Sequence, residues 1–95
     1  METVFYVDLN IKKGDDFVSY GRFYIGNDKE VATRIFTNLE GSEVSETTIL
    51  RLDFMETRQG IPENISLLSC TLPQLQKNFK LITKEIFKRI NLRTY

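Results

Sequence analysis

The side chains able to do chemistry in this sequence are few: one thiol at Cys70, scattered carboxylates, and arginines interleaved with tyrosines. There is no histidine, so the usual neutral-pH proton shuttle and the commonest metal ligand are both missing. A Ser-His or Cys-His pair cannot be assembled, and neither familiar glycine-rich phosphate loop occurs. Asp15 and Asp16 are adjacent, but two carboxylates on a turn lack the larger oxygen set that calcium requires, and aspartate is at home on a turn without a ligand. Asp8, Arg51 and Asp53 would converge if the first and third strands were neighbours, with Glu56 close by in sequence. Such a cluster would perturb ionisation, although cross-strand ion pairing is the simpler account. Cys70 directly precedes a helix start, where thiolates are favoured, yet it has no CxxC partner and free cysteine is commonly buried. A packed strand-end thiol is therefore expected. The set leans away from an enzyme and implies no metal and no cofactor.

More informative are Tyr6, Tyr20, Arg22, Tyr24 and Arg51, with Met55 as a further candidate, because strand alternation assigns them to the side away from the apolar residues. Aromatics and arginine on an open sheet can stack bases. The same composition marks protein interfaces, and β-favouring tyrosine also decorates ordinary solvated sheets. No RNP-like glycine-aromatic signature accompanies these residues. Thirteen Lys+Arg balance thirteen Asp+Glu, so no overall field draws the chain to nucleic acid or an anionic membrane. Self-association through the Tyr/Arg face or a strand edge is the expected role. A small-ligand-binding regulatory domain is the alternative, and an RNA-binding sheet the weaker one.

The charge is uneven along the chain. Residues 76–95 carry six basic side chains and one acidic, against seven and twelve in residues 1–75. Lys77, Lys80, Lys84 and Lys88 form one helix face, which reads as a solvated face whose cations suit the helix C-terminus.

Positioning these residues requires regular elements, and 95 residues suffice for one compact domain. Phe5, Val7, Leu9 and Ile11 alternate with Tyr6, Asp8, Asn10 and Lys12, which predicts a half-buried strand. Lys13–Asp16 supplies a turn, and Phe17–Ile25 a second strand, with Phe17, Phe23 and Ile25 assigned to the core and Val18, Tyr20, Arg22 and Tyr24 to the other side. A helix follows, with Asn27 as N-cap, Glu30 in a capping box, Val31, Ala32, Ile35, Phe36 and Leu39 as its apolar arc, and a left-handed Gly41 at its end. Ser42–Thr48 reads as a surface loop. Ile49–Met55 predicts a third strand with Leu50, Leu52 and Phe54 inward, Arg58–Asn64 a connection, and Ile65–Cys70 a fourth strand. Thr71 and Gln74 have capping-box spacing, and Cys70 with Leu75 suits a hydrophobic staple. Leu75, Phe79, Ile82, Ile86 and Ile90 then mark a long amphipathic helix. The order is ββαββα, an α+β fold with a four-stranded, mainly antiparallel sheet and both helices on one face. One cysteine and an opening segment unlike a signal peptide fit a cytoplasmic setting.

Overall fold

Alternating apolar residues build two β-hairpins, and a helix follows each. Strand β1 (Val4–Lys13) pairs antiparallel with β2 (Asp16–Gly26), and β3 (Leu50–Arg58) with β4 (Ile61–Cys70). β1 and β3 also pair antiparallel, which gives one sheet in the order β2-β1-β3-β4. Helices α1 (Lys29–Thr37) and α2 (Leu72–Thr94) pack on one face, so the ββαββα architecture is the one the residue pattern predicts. This structure, a computed structural model, describes residues 3–94, with side chains over 3–89. Ile90, expected on the apolar arc of the last helix, lies outside the described side chains.

Phe5 and Val7 of β1 with Leu52 and Phe54 of β3 form the sheet side of the core. Ala32, Ile35 and Phe36 of α1, with Leu75 and Ile82 of α2, form the helix side. Phe36 stacks on Phe54 with ring centroids 5.0 Å apart, and Phe79 meets Phe23 at the same separation. Val31, Phe79 and Ile86 were expected in the core and are half-buried at its margin.

α2 begins as its sequence predicts. Thr71 Oγ1 accepts from the Gln74 N–H at 3.3 Å, while Gln74 Oε1 accepts from the Thr71 N–H at 2.9 Å. α1 departs from expectation at both ends. Asp28, not Asn27, is its cap and accepts from the Val31 N–H at 3.2 Å. That shift moves Glu30 out of the third helical position, so no capping box forms, and the acidic cap instead complements the helix dipole. The helix ends at Thr37 with Asn38 in a right-handed C-cap, so Gly41 does not terminate it. Gly41 serves a close approach: a Cβ there would lie 2.5 Å from Leu68 Cγ and 2.6 Å from the Ser69 carbonyl oxygen. This contact lets Ser42 and Ser69 exchange two backbone hydrogen bonds of 2.9 Å.

Two further corrections concern the strands. The connection expected over Arg58–Asn64 shrinks to Gln59 and Gly60, both with positive φ, and β4 starts at Ile61. A two-residue turn of this kind matches strand twist, and Pro62 is tolerated because β4 is an edge strand. In β2, Leu9 pairs with Gly21 but Asn10 pairs with Ser19, which leaves Tyr20 as an extra residue in a bulge. The bulge exchanges the faces of the residues before it. Phe17 therefore joins Lys12 on the helix-free face, and Val18 joins Ile11 on the helix face, the reverse of the alternation reading.

Candidate functional site: the helix-free face of the sheet

Opposite the helices, the register aligns side chains in rows. Arg22, Asp8, Asp53 and Leu67 form one row from β2 to β4, and Tyr24, Tyr6, Met55 and Asn64 form the next. Asp8 and Asp53 stand directly opposite each other on neighbouring strands. Each is held by a forked arginine. Arg22 donates from Nε to Asp8 Oδ1 at 2.7 Å and from NH2 to Asp8 Oδ2 at 3.2 Å. Arg51 donates from Nε to Asp53 Oδ1 at 2.6 Å and from NH2 to Asp53 Oδ2 at 2.9 Å. The predicted convergence of Asp8, Arg51 and Asp53 is thus realised as paired charges. The hydrogen bonds that Arg22 donates to Asp8 and then to Tyr24 hold its guanidinium above its ordinary range.

Both arginines lie over aromatic rings. The Arg22 guanidinium carbon sits 4.2 Å from the centroid of the Tyr6 ring, and that of Arg51 sits 4.1 Å from the Phe17 ring. Long side chains from β2 and β3 thereby blanket the central strand β1. This explains why Tyr6, expected to be exposed, is only 3% exposed although no helix covers this face. Asp8, Asn10 and Asp53 are buried there as well. Tyr24, in contrast, is 58% exposed, and Leu67 and Ile65 at the other side of the face are also exposed. Tyr20 is exposed at its bulge. A cleft of about 390 Å³ opens at one end of the face, lined by Val4, Tyr6, Arg22, Tyr24, Thr57 and Pro62.

The remaining sequence candidates fall elsewhere. Glu56 alternates to the helix side, where Arg58 NH2 donates to it at 2.6 Å, so it does not join Asp8 and Asp53. Asp15 and Asp16 are exposed at the first hairpin tip. Lys80, Lys84 and Lys88 face solvent, and Lys77 lies 3.6 Å from Glu40 at the surface. Cys70 is buried, which pushes its thiol pKa up from the ordinary value, while the Asn78 amide at 3.4 Å acts in the opposite sense. Among the described residues, no three His, Cys, Asp or Glu side chains are grouped to hold a metal ion.

Sequence reasoning missed Asn78, which is only 2% exposed. Its Oδ1 accepts from the Glu40 N–H at 2.8 Å and its Nδ2 donates to the Glu40 carbonyl at 2.8 Å, which ties the end of the first ββα unit to α2. The signal was present: position 78 lies three residues after Leu75 and four before Ile82, on the apolar arc. A second cavity, of about 560 Å³, opens beside the start of α2, with Ser42, Thr48, Ile49, Ser69 and Leu72 among its walls. Among the described residues, no helix is long and apolar enough to cross a membrane. No protein family matches the chain, and neither a curated protein nor a solved structure matches it.

Proposed function

We propose that this chain is a small non-enzymatic interaction module, active in a reducing, cytoplasmic setting, that self-associates through the helix-free face of its sheet. One observation carries the reading: exposed Tyr24, Leu67 and Ile65 flank arginines whose charge is already neutralised within the face. A surface of that kind gains free energy by excluding water and repels nothing of its own kind. The strand edges suit association less well. Ser42 already bridges to Ser69 on the outer edge of β4, Pro62 removes a donor there, and β2 carries two register irregularities.

Nucleic acid is disfavoured by the same geometry, because both forks that would grip phosphates are given to aspartates. The alternative of a small-ligand-binding domain rests on the cavity beside α2. Its hydroxyls already bond one another, with Thr48 Oγ1 donating to Ser69 Oγ at 3.0 Å and Ser45 Oγ lying 3.0 Å from Thr47 Oγ1, which leaves little convergent polarity for a ligand.

The test is sedimentation of the wild type and of a Tyr20→Ser, Tyr24→Ser double variant. The wild type should sediment as a dimer at micromolar concentration, and the variant as a monomer with unchanged far-UV circular dichroism. A wild type that stays monomeric throughout that range overturns the proposal.

A further inference from the structure

Leu75, Asn78 and Ile82 of α2 are buried, and the opposite side of the helix exposes Lys77, Lys80, Lys84, Phe87 and Lys88. Steps of three and four residues keep this exposed set on one face. At 3.6 residues per turn, Phe87 projects within about 20° of Lys80 and about 60° of Lys84. Its ring, 59% exposed, therefore stands among the lysines and not at the edge of the core. The helix macrodipole does not account for these cations, because it acts within the last turn and α2 runs on to Thr94, well beyond Lys88. Lys77 has an acidic neighbour in Glu40 at 3.6 Å, but among the described residues Lys80, Lys84 and Lys88 enter no ion pair. Glu85, the only acid of α2, is half-buried on the flank. The balanced total charge of the chain conceals this stripe.

Unneutralised positive charge and one large apolar ring on the same convex face make different demands on a partner. The ammonium groups call for anions, and the ring gains free energy only by leaving water. An anionic bilayer surface meets both demands: its headgroups attract the lysines, whose long stems let the charge stay at headgroup level while the ring enters the interface beneath. A nucleic-acid strand fits less well. The stripe carries no exposed arginine to fork a phosphate, and a single convex helix offers no groove for a backbone to follow.

We propose that the exposed lysine face of α2 docks this protein on an anionic lipid surface, with Phe87 as its apolar anchor. The site lies on the helix side of the sheet, away from the face assigned to self-association, so either can fail without the other. Near a surface rich in acidic lipid each lysine adds about fivefold to partitioning, and Lys80, Lys84 and Lys88 together supply on the order of a hundredfold. Binding is therefore weak, reversible and reduced by salt.

The chain has no tryptophan, so Phe87→Trp places a single fluorescent reporter at the anchor. With vesicles of phosphatidylcholine and phosphatidylserine in equal parts its emission should shift to the blue, and with phosphatidylcholine alone it should not. In vesicle flotation, Lys84→Gln with Lys88→Gln should weaken binding about twentyfold and Phe87→Ser about tenfold. Lys12→Gln with Lys13→Gln removes the same charge at the first hairpin and should leave binding within about twofold. Far-UV circular dichroism checks that each variant keeps its helices. Emission from Phe87→Trp that does not respond to the acidic vesicles overturns the proposal. Equal losses in the two lysine pairs also overturn it, because binding would then follow net charge and not this face. Single-stranded RNA bound through the same lysines, without vesicle binding, overturns the lipid assignment and makes the stripe a nucleic-acid site.

Discussion

Two carboxylates directly opposite on adjacent antiparallel strands repel each other, so Asp8 and Asp53 can share a buried row only because Arg22 and Arg51 hold one each. Removing one arginine leaves its aspartate uncompensated beside the other and uncovers the ring it lay on. Arg22→Ala should therefore cost about 1.5–3 kcal/mol in urea unfolding, a range typical of charge-assisted hydrogen bonds. Asp8→Ala introduced on top of it should restore part of the loss, because the like-charge pair is then gone. A double variant less stable than the sum of the single changes would show that the pair is not the coupled unit. Cys70 gives a second test at this scale. Burial raises its thiol pKa above the ordinary thiol value, so alkylation of the native protein should be slow and should reach half-maximal rate at higher pH than that of an exposed thiol. Asn78→Ala should push the midpoint higher, since the amide favours the thiolate. The stability consequence has a fixed sign. An acid whose folded pKa is raised ionises first in the unfolded chain, so its stabilising contribution is whole below about pH 8.5, the unfolded thiol value, and falls as pH rises toward the folded value.

Among the elements, those with strong apolar periodicity were legible in the sequence and those set by a single inserted residue were not. Phe5, Val7, Leu52 and Phe54 declare their faces because four alternating apolar side chains have only one side to bury. The start of α2 was legible for a local reason, since Thr71 and Gln74 satisfy each other without help from the rest of the chain. The bulge at Tyr20 left no such mark. Phe17, Phe23 and Ile25 are spaced by even numbers and read as one face, yet one unpaired residue moves Phe17 to the other side. The paired arginines were named as candidates, but their reaching over β1 depends on which strands are neighbours, and strand order is not written in alternation. Gly41 misled in a related way, because glycine serves both positive φ and close approach. Its backbone presses on β4, so Gly41→Ala should cost about 1–3 kcal/mol through displacement of Leu68 and the Ser42–Ser69 bridge. Gly21→Ala is the control, since a Cβ there meets nothing within 4 Å, and it should change stability by less than about 0.5 kcal/mol. Equal effects at the two positions would show that the close approach of Gly41 does not constrain the fold.

For the molecule as a whole, the decisive property is where its balanced charge is placed. Thirteen cations and thirteen anions cancel over the chain, and on the helix-free face Arg22 and Arg51 cancel Asp8 and Asp53 within a single row and its neighbour. An interface built on those paired rows has no net charge to screen there, so its strength comes from removing Tyr24, Leu67 and their neighbours from water. Raising sodium chloride from about 50 to about 500 mM shortens the screening length from roughly 14 Å to roughly 4 Å. The dissociation constant of the dimer, measured by sedimentation equilibrium, should nevertheless change by less than about threefold across that range, and a kosmotropic salt should tighten it. Single-stranded RNA offers the contrasting case. If the face gripped phosphates, affinity would fall steeply with the same increase in salt, by a power that counts the ions released. A dimer insensitive to salt together with no salt-dependent RNA binding agrees with a neutral apolar interface. A dimer that dissociates about tenfold or more over this range would mean that the arginines leave their aspartates to reach across the interface, and the face would then be held by exchanged ion pairs.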